Sequence, residues 1–513
     1  MSSAQFINLA VVIGYLLLII GVGVYFGFKR KSAAQFMVAN QSMPGWAVGL
    51  SMFGSYISSI SFLANPSAAY ATNWMWAGFT IVTPFGLWVG THYFMRFYRD
   101  SGAISAYSHL EARFGAWARS YAVFTYLVIQ MVRMGTILYL LSQAVLPLLG
   151  GDPVHDLTLV RGTIIAIGLL MTCYTLFGGI EAVVWTGVLQ SAILIIGPLI
   201  CIVTLLLKMP GGLFHVVQIG IVDHKFGFGP YSANLIVPTF WLVLLSAVLE
   251  HLRNWGLDQS YVQRYLSAKS DREASRSIWI AGLLFIPVSM FFWFIGTALH
   301  AFYKVMPERL PAGTPADSVF PHFISFELLP GLSGLVIAAI FAASMDSNLN
   351  SMATLTLMDG YKRYVRPRAT DRESLWVLYG STLFWGAMSI AYGLIMTLKG
   401  GTPTVDFSAR VAGLVGGGIL GLFLLGILWR KVPNGIAFFS TAAGIAVIVW
   451  MSVSRWPIWP QSWAAYRSPW HELTTTVIGT LLILLLGFGL TLLSQFWNGT
   501  PPRREGACQA AAD

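Results

Sequence analysis

Residues 338–358, AAIFAASMDSNLNSMATLTLM, begin as an ordinary apolar helix and then carry Asp346 among Ser344, Ser347, Asn348 and Asn350. The run is long enough to cross a bilayer. A carboxylate and hydroxyls at that depth are hard oxygen ligands, suited to a cation whose charge must be balanced in low dielectric. A desolvated carboxylate can also carry a proton, and a buried Asp346 that is neutral or paired with arginine is the plainer alternative. Three arginines, Arg133, Arg253 and Arg410, also lie inside apolar runs. Each costs at least roughly 2.5–3.5 kcal/mol at mid-helix on insertion scales, so each needs a cavity or a partner. Arg253 follows Glu250 by three residues and Arg410 follows Asp406 by four, the spacings of helical ion pairs. Arg133, in QMVRMGTILYL, sits about fifteen residues from either end of its run, too deep to snorkel with ease.

The elements that must position these groups are transmembrane helices. Of 513 residues, 56% are hydrophobic and 10% charged, and the mean hydropathy is +0.68. No soluble domain of this size reads so; a series of spans of about 20 apolar residues does. The first, Phe6–Phe28, is too long for a signal h-region and no small-residue cleavage site follows, so it is expected to be retained. Cys173, Cys201 and Cys508 are scattered, which leaves neither a disulfide framework nor a metal-ligand spacing.

Thirteen spans are expected, at about 6–28, 44–64, 75–97, 118–148, 159–178, 181–207, 235–257, 278–302, 331–358, 375–398, 406–429, 434–454 and 473–494. With the N-terminus outside, twenty loop Lys and Arg fall inside and eight outside. That asymmetry predicts an N-out, C-in chain in the cell (inner) membrane. It also accounts for the net charge of +10 without a nucleic-acid partner. One transporter domain, 1–495, is expected, with a short cytoplasmic tail at 496–513 and no further soluble domain. The connections at 208–234 and 303–330 should hold short surface helices, and the Trp-rich loop SRWPIWPQSWAAYRSPWHE suits the lipid–water interface.

Two spans are poor lipid-facing material. MPGWAVGLSMFGSYISSISFL carries Gly49, Gly54 and six hydroxyl residues, Ser51, Ser55, Tyr56, Ser58, Ser59 and Ser61. Five spans later, LLSAVLEHLRNWGLDQSYVQRYL has Gly256 near Glu250, His251, Arg253, Asn254 and Asp258. Interrupted polar spans at matching places in two halves point to an inverted-repeat transporter. Unwound carbonyls there can hold a cation and half-helix N-termini an anion. A plain helix pair packed through small residues is the competing reading, but packing needs no Glu, His, Arg or Asp.

FMVANQSMPGWAVGLSMFGSYISSISFL, LEARFGAWARS, YTLFGGIEAVVWTGVLQ, WGLDQSYVQRYLSAKS, NSMATLTLMDGY and FLLGILWRKVPNGIAF, spread from about 35 to 440, together resemble the sodium:solute symporters, in the branch of the sialic-acid and sodium–glucose cotransporters. The resemblance implies an all-α polytopic fold: a leading helix, a five-plus-five inverted repeat (about 43–207 and 235–429) with broken first and sixth repeat helices, and two more helices. It implies a main sodium site made by the carbonyls of Gly54 and Ile57 and completed on the eighth repeat helix. There the chain reads AASMDSNLNS, three residues shorter than the usual form. One alignment puts Ala343, Asp346 and Ser347 in the sodium slot, keeping one helix face; the other gives that slot to Ala343 and Ser344 and assigns Asp346 and Ser347 to a second ion position. The family's WTD, whose carboxylate is linked to a second sodium, reads WTG here, with Gly187. A second site is therefore expected to be absent or remade by Asp346, and one coupling ion per cycle follows.

The same resemblance implies solute contacts at Ser58, Ser61, Trp76, Thr80, Arg133, His251 and Asn254, with the neighbourhood of Ala409 and Arg410. Arg133 stands where sialic-acid transporters bind the substrate carboxylate, and a guanidinium fork matches a carboxylate in two parallel hydrogen bonds. Asn254 stands where glucose transporters carry a gating Tyr, and Thr80 where a Gln is usual in the sialic-acid branch, so the solute and the inner gate are expected to differ; Trp255 is a candidate for the gate. The expected activity is sodium-driven uptake of a small polar solute, a sugar acid, sugar or other organic anion, by a monomer or weak oligomer in the lipid bilayer. Proton coupling on the same fold and a non-transporting solute sensor are the alternatives. No HExxH or GxSxG accompanies these features, so no enzyme is expected.

Overall fold

In a bilayer a chain must satisfy its own backbone groups, and a helix does so within one segment. The computed structural model of the chain describes residues 3–29, 32–146, 151, 156–344, 348–398, 416–429, 431–456 and 459–497. Among them the regular secondary structure is helical, with one isolated parallel bridge between Met43 and Ala268. Asp346, Ser347, Asp406, Ala409 and Arg410 lie outside the described residues.

The principal helices are α1 (Ser3–Lys29), α2 (Gly45–Tyr56), α3 (Ser59–Ala71), α4 (Ala116–Val145), α5 (Leu157–Lys208), α6 (Phe240–Leu257), α7 (Gln259–Ser267), α8 (Asp271–Val305), α9 (Leu332–Ser344), α10 (Asn348–Leu355), α11 (Asp371–Met396), α12 (Ile419–Leu428), α13 (Asn434–Val453) and α14 (Leu473–Trp497). Among the described residues eight helices are long and apolar enough to cross a membrane, or nine with the bent pair α2–α3. This is fewer than the thirteen spans expected, and several of the expected segments are broken, polar or only partly described. Residues 75–101 run as short pieces, α6 carries Glu250, His251, Arg253 and Asn254, and only part of 406–429 is described. Conversely, α5 runs for 52 residues, about 78 Å at helical rise, far more than a bilayer core. It turns at Gly179, where φ is 58°, between the expected spans 159–178 and 181–207.

The connections gather at two ends. At one, Arg99 pairs with Asp271, Arg119 with Asp359 and Glu111, and Arg363 with Glu111. Arg113 donates there to the carbonyls of Trp429 and Val432, both at 3.1 Å. This is the end to which the charge count assigns the twenty basic residues. At the other, Glu327 receives Lys208 at 2.6 Å and Arg309 at 2.9 Å. Lys304 and His300 hold the Asp223 carboxyl below the usual carboxylate range through hydrogen bonds. The connections at this end carry the expected short helices, Gly212–Val222 and Ala316–Phe326.

Packing divides the helices. α2 and α3 lie along α8, α4 lies along α11, and α5 packs on α1, α2 and α9. Before α2, Ala39, Asn40 and Gln41 all take positive φ, 48°, 50° and 55°, a conformation costing about 1–2 kcal/mol per ordinary L-residue. The turn delivers Met43 to the end of α7, where it pairs with Ser267 O at 3.1 Å and Lys269 N at 3.0 Å.

Candidate ion and solute site

α2 stops because Ile57 and Ser58 are extended, with ψ of 99° and 165°, and Ser58 then caps α3 by accepting from Ser61 N at 3.4 Å. The two halves meet at a bend of 47°. The break falls three residues beyond Gly54 and owes more to this serine cap than to glycine. The last bond of the first ladder is Ile57 N–H to Phe53 O at 3.3 Å, which places the carbonyls of Gly54, Ser55, Tyr56 and Ile57 beyond it. Gly54 and Ile57 are buried. A helix C-terminal end is negative in character, and buried carbonyls without ladder donors are ligands for a hard cation.

Arg133, on α4, reaches this break and donates to Ser55 O at 3.4 Å. α9 touches α2, α3 and α4 and carries Ala343 and Ser344, both buried. The Ser344 hydroxyl donates back to Ile340 O at 2.6 Å, which commits its proton and leaves its lone pairs facing away from that bond. These neutral oxygens suit a monovalent cation as cargo. Asp346 and Ser347, the other expected ion ligands, lie outside the described residues.

Gly187 stands behind the break. A Cβ built on it would lie 2.6 Å from Ser51 Oγ and 2.7 Å from Ser51 Cα, closer than atoms can approach without the helices moving apart. One turn on, the Ser191 hydroxyl is shared between Leu50 O and Gly187 O, each at 2.7 Å, and the Ser51 hydroxyl donates to Val183 O at 3.3 Å. A Gly-xxx-Ser edge of α5 thus lies directly on α2.

The solute candidates fall around the same break. Ser58 and Ser61 lie at the start of α3, with their hydroxyls 3.5 Å apart. His251 Nε2 faces the carbonyl of Phe79 at 3.0 Å, so it carries the proton, and Nδ1 accepts from the Tyr56 hydroxyl at 3.0 Å. Both ring nitrogens are therefore engaged by the protein. Thr80 is buried and shares a hydrogen bond of 2.7 Å with Ser289, and Trp76, half-buried, stacks on Phe79 with centroids 6.3 Å apart. Asn254 is half-buried on α6, beside the Arg253–Glu250 ion pair that the sequence spacing anticipated. Gly54, Ile57, Ser58, Ser61 and Arg133 thus lie at or beside one break, with His251 joined to it through Tyr56, while Ala343 and Ser344 belong to α9, which packs on α2 and α3.

Tyr56 has a part the sequence did not reveal beyond its hydroxyl. Its ring lies among Phe285, Tyr261 and Trp255, at centroid distances of 4.7, 5.3 and 5.5 Å, and it ties the first broken helix to the second. The Gly187–Ser191 crossing was missed as well; its small-xxx-small spacing was the available signal.

The profile of the sodium:solute symporter family matches residues 36–444. The chain is 30% identical to the sodium/sialic acid symporter SiaT of Proteus mirabilis, with 94% of each covered. It is 28% identical to the human sodium-coupled monocarboxylate transporter 2, over 84% of this chain and 70% of that one. A solved sodium-coupled sialic acid symporter, substrate-bound and outward-open, superposes with a TM-score of 0.85 at 29% identity, covering 95% of this chain and 98% of that one. A nucleobase-cation symporter, at 15% identity and a TM-score of 0.52, shares the fold. With a broken helix that frees buried carbonyls, an arginine brought to it from mid-span, and a family profile over most of its length, the chain belongs to the sodium:solute symporter family and is a membrane symporter, not an enzyme.

Proposed function

We propose that this symporter uses the inward sodium gradient to take up a small solute bearing a carboxylate, a sugar acid or a related organic anion. The observation that carries the reading is the placement of Arg133, whose guanidinium reaches the Ser55 carbonyl between the two carbonyls assigned to the ion. Sialic acid and monocarboxylates, the solutes in the names of the relatives, share only a carboxylate, and a carboxylate is what a guanidinium recognises in two parallel bonds. Sodium is assigned to the carbonyls of Gly54, Ile57 and Ala343, with Ser344, Asp346 and Ser347. Ser58, Ser61, Trp76, Thr80, His251 and Asn254 are assigned to the rest of the solute, His251 through the position it gives Tyr56.

Thirteen spans in a five-plus-five inverted repeat are proposed, with breaks at α2–α3 and α6–α7, five spans apart. The basic end is assigned to the cytoplasm. One sodium per cycle is proposed, since Gly187 lies on Ser51 with no room for a side chain. Binding of sodium joins the end of α2 to α9 and preorganises the solute site, so the ion's favourable binding stabilises the solute-bound state. Uptake into proteoliposomes tests this. A sodium gradient should drive accumulation of a sialic acid or a monocarboxylate above equilibrium, and a pH step in sodium-free buffer should not. Accumulation driven by the pH step alone, or binding without flux, would overturn it.

A further inference from the structure

We propose that Tyr107, with Tyr98 and Gln130, latches α7 shut across the cytoplasmic end of the transport path, and that release of this latch is the inward-opening step. The proposal rests on the alternating-access reading and the orientation given above. α6 ends at Leu257, Asp258 is extended, and α7 starts at Gln259. Such an end leaves carbonyls without ladder donors, yet here they are capped. Asp258 N–H turns back to Arg253 O at 3.1 Å. The Tyr98 hydroxyl donates to Gly256 O and the Tyr107 hydroxyl to Leu257 O, both at 2.6 Å. Both tyrosines are fully buried. The Asp258 carboxylate receives Gln130 Nε2 of α4 at 3.0 Å and Ser260 N at 2.9 Å. Gln259 clasps the same connection, donating to Ile104 O and accepting from Ala106 N, each at 2.8 Å. That connection is in turn held to the eighth repeat helix by Ser105 Oγ on Asp359 at 3.0 Å.

The composition of α7 argues that this seat is made to open. All nine of its residues are buried, although Gln259, Ser260, Gln263, Arg264 and Ser267 are polar. A permanent contact of that depth is favoured by apolar groups; polar ones find water when the surfaces part, which lowers the cost of parting. Around the seat, Gln130 Oε1, Gln263 Oε1 and both amide atoms of Asn350 are buried and have no hydrogen-bond partner among the described residues. Asn350 is one turn before Thr354, to which Gln263 donates at 3.0 Å. Opening would hydrate these groups. The Tyr107 hydroxyl matters in one state only: with α7 seated it is the donor that Leu257 O receives, and with α7 released water replaces it.

The test is a cysteine at Val262, buried in α7, in a chain whose three cysteines are replaced by alanine. Inside-out vesicles are treated with a membrane-impermeant maleimide without sodium or solute. Tyr107→Phe, which keeps the ring and removes the hydroxyl, should raise the labelling rate about tenfold, the worth of one buried hydrogen bond left unmade. Gln130→Met should act in the same direction and serves if the first variant does not reach the membrane. Labelling unchanged in both variants would overturn the latch while leaving sodium-driven uptake standing; a wild-type chain that shows no uptake in proteoliposomes would overturn the functional reading instead.

Discussion

The two broken helices use one backbone device for opposite ends. Where α2 gives way to α3, Gly54 and Ile57 are buried and their carbonyls lie beyond the last ladder bond, and Ser55 O meets the positive Arg133. Where α6 gives way to α7, Gly256 and Leu257 each receive a tyrosine hydroxyl at 2.6 Å and Asp258 caps the next helix through Ser260. A break becomes a binding site only if the fold withholds internal donors from it. Supplied with them, the same break becomes a fixed joint or a latch. The difference lies in the neighbours, since both breaks follow a glycine by two or three residues and both start their second half with a polar cap.

The largest effect is expected behind the first break. Gly187→Asp should not add a sodium site but drive α5 from α2, at about 3 kcal/mol or more from overpacking and a buried charge. Gly187→Ala should cost about 1–3 kcal/mol through overpacking alone. Thermal unfolding in detergent measures both, and a stable Gly187→Asp chain with a steeper sodium dependence would show that the crossing adapts. Next, Arg133→Ala should raise the solute KM by roughly 10–100-fold, the worth of a charge-assisted bond, with Arg133→Lys in between. An unchanged KM would remove the carboxylate from the first break.

Asp346→Ala should weaken sodium activation by about tenfold, as the loss of a charged ligand in low dielectric, and Ser344→Ala by a few-fold. The sodium concentration for half-maximal uptake checks both; if Asp346→Ala leaves it as it was, the ion is held by carbonyls and hydroxyls alone. The smallest effect is expected beside the second break. Gln41 is exposed and lies in the left-handed turn before α2. Gln41→Gly should favour the turn, and with it the Met43–Ser267 pairing, by about 1 kcal/mol. Labelling of the cysteine at Val262 should then slow a few-fold, where Gln41→Val should speed it.

Much of the membrane architecture was legible beforehand. The apolar helices and the Arg253–Glu250 pair follow from local patterns, each readable within a few turns of helix. The candidate site was legible only through a resemblance, and then unevenly. Arg133 and the Gly54–Ile57 segment do come together, but His251, expected at the solute, spends both ring nitrogens on Tyr56 and Phe79. Thr80 likewise turns its hydroxyl to Ser289, 209 residues away. A hydroxyl or imidazole announces hydrogen-bonding capacity in the sequence but not the partner that uses it.

The sequence by itself determined that this chain crosses a membrane many times and that two helices break amid polar residues. These are sums over neighbouring residues, fixed by hydropathy and local polarity. Only the tertiary structure decided which break stays open and which is capped, and that Gly187 is a contact surface for Ser51. Those outcomes depend on groups more than 100 residues apart meeting at hydrogen-bond distance, such as Tyr107 and Leu257, and no local pattern encodes such a meeting.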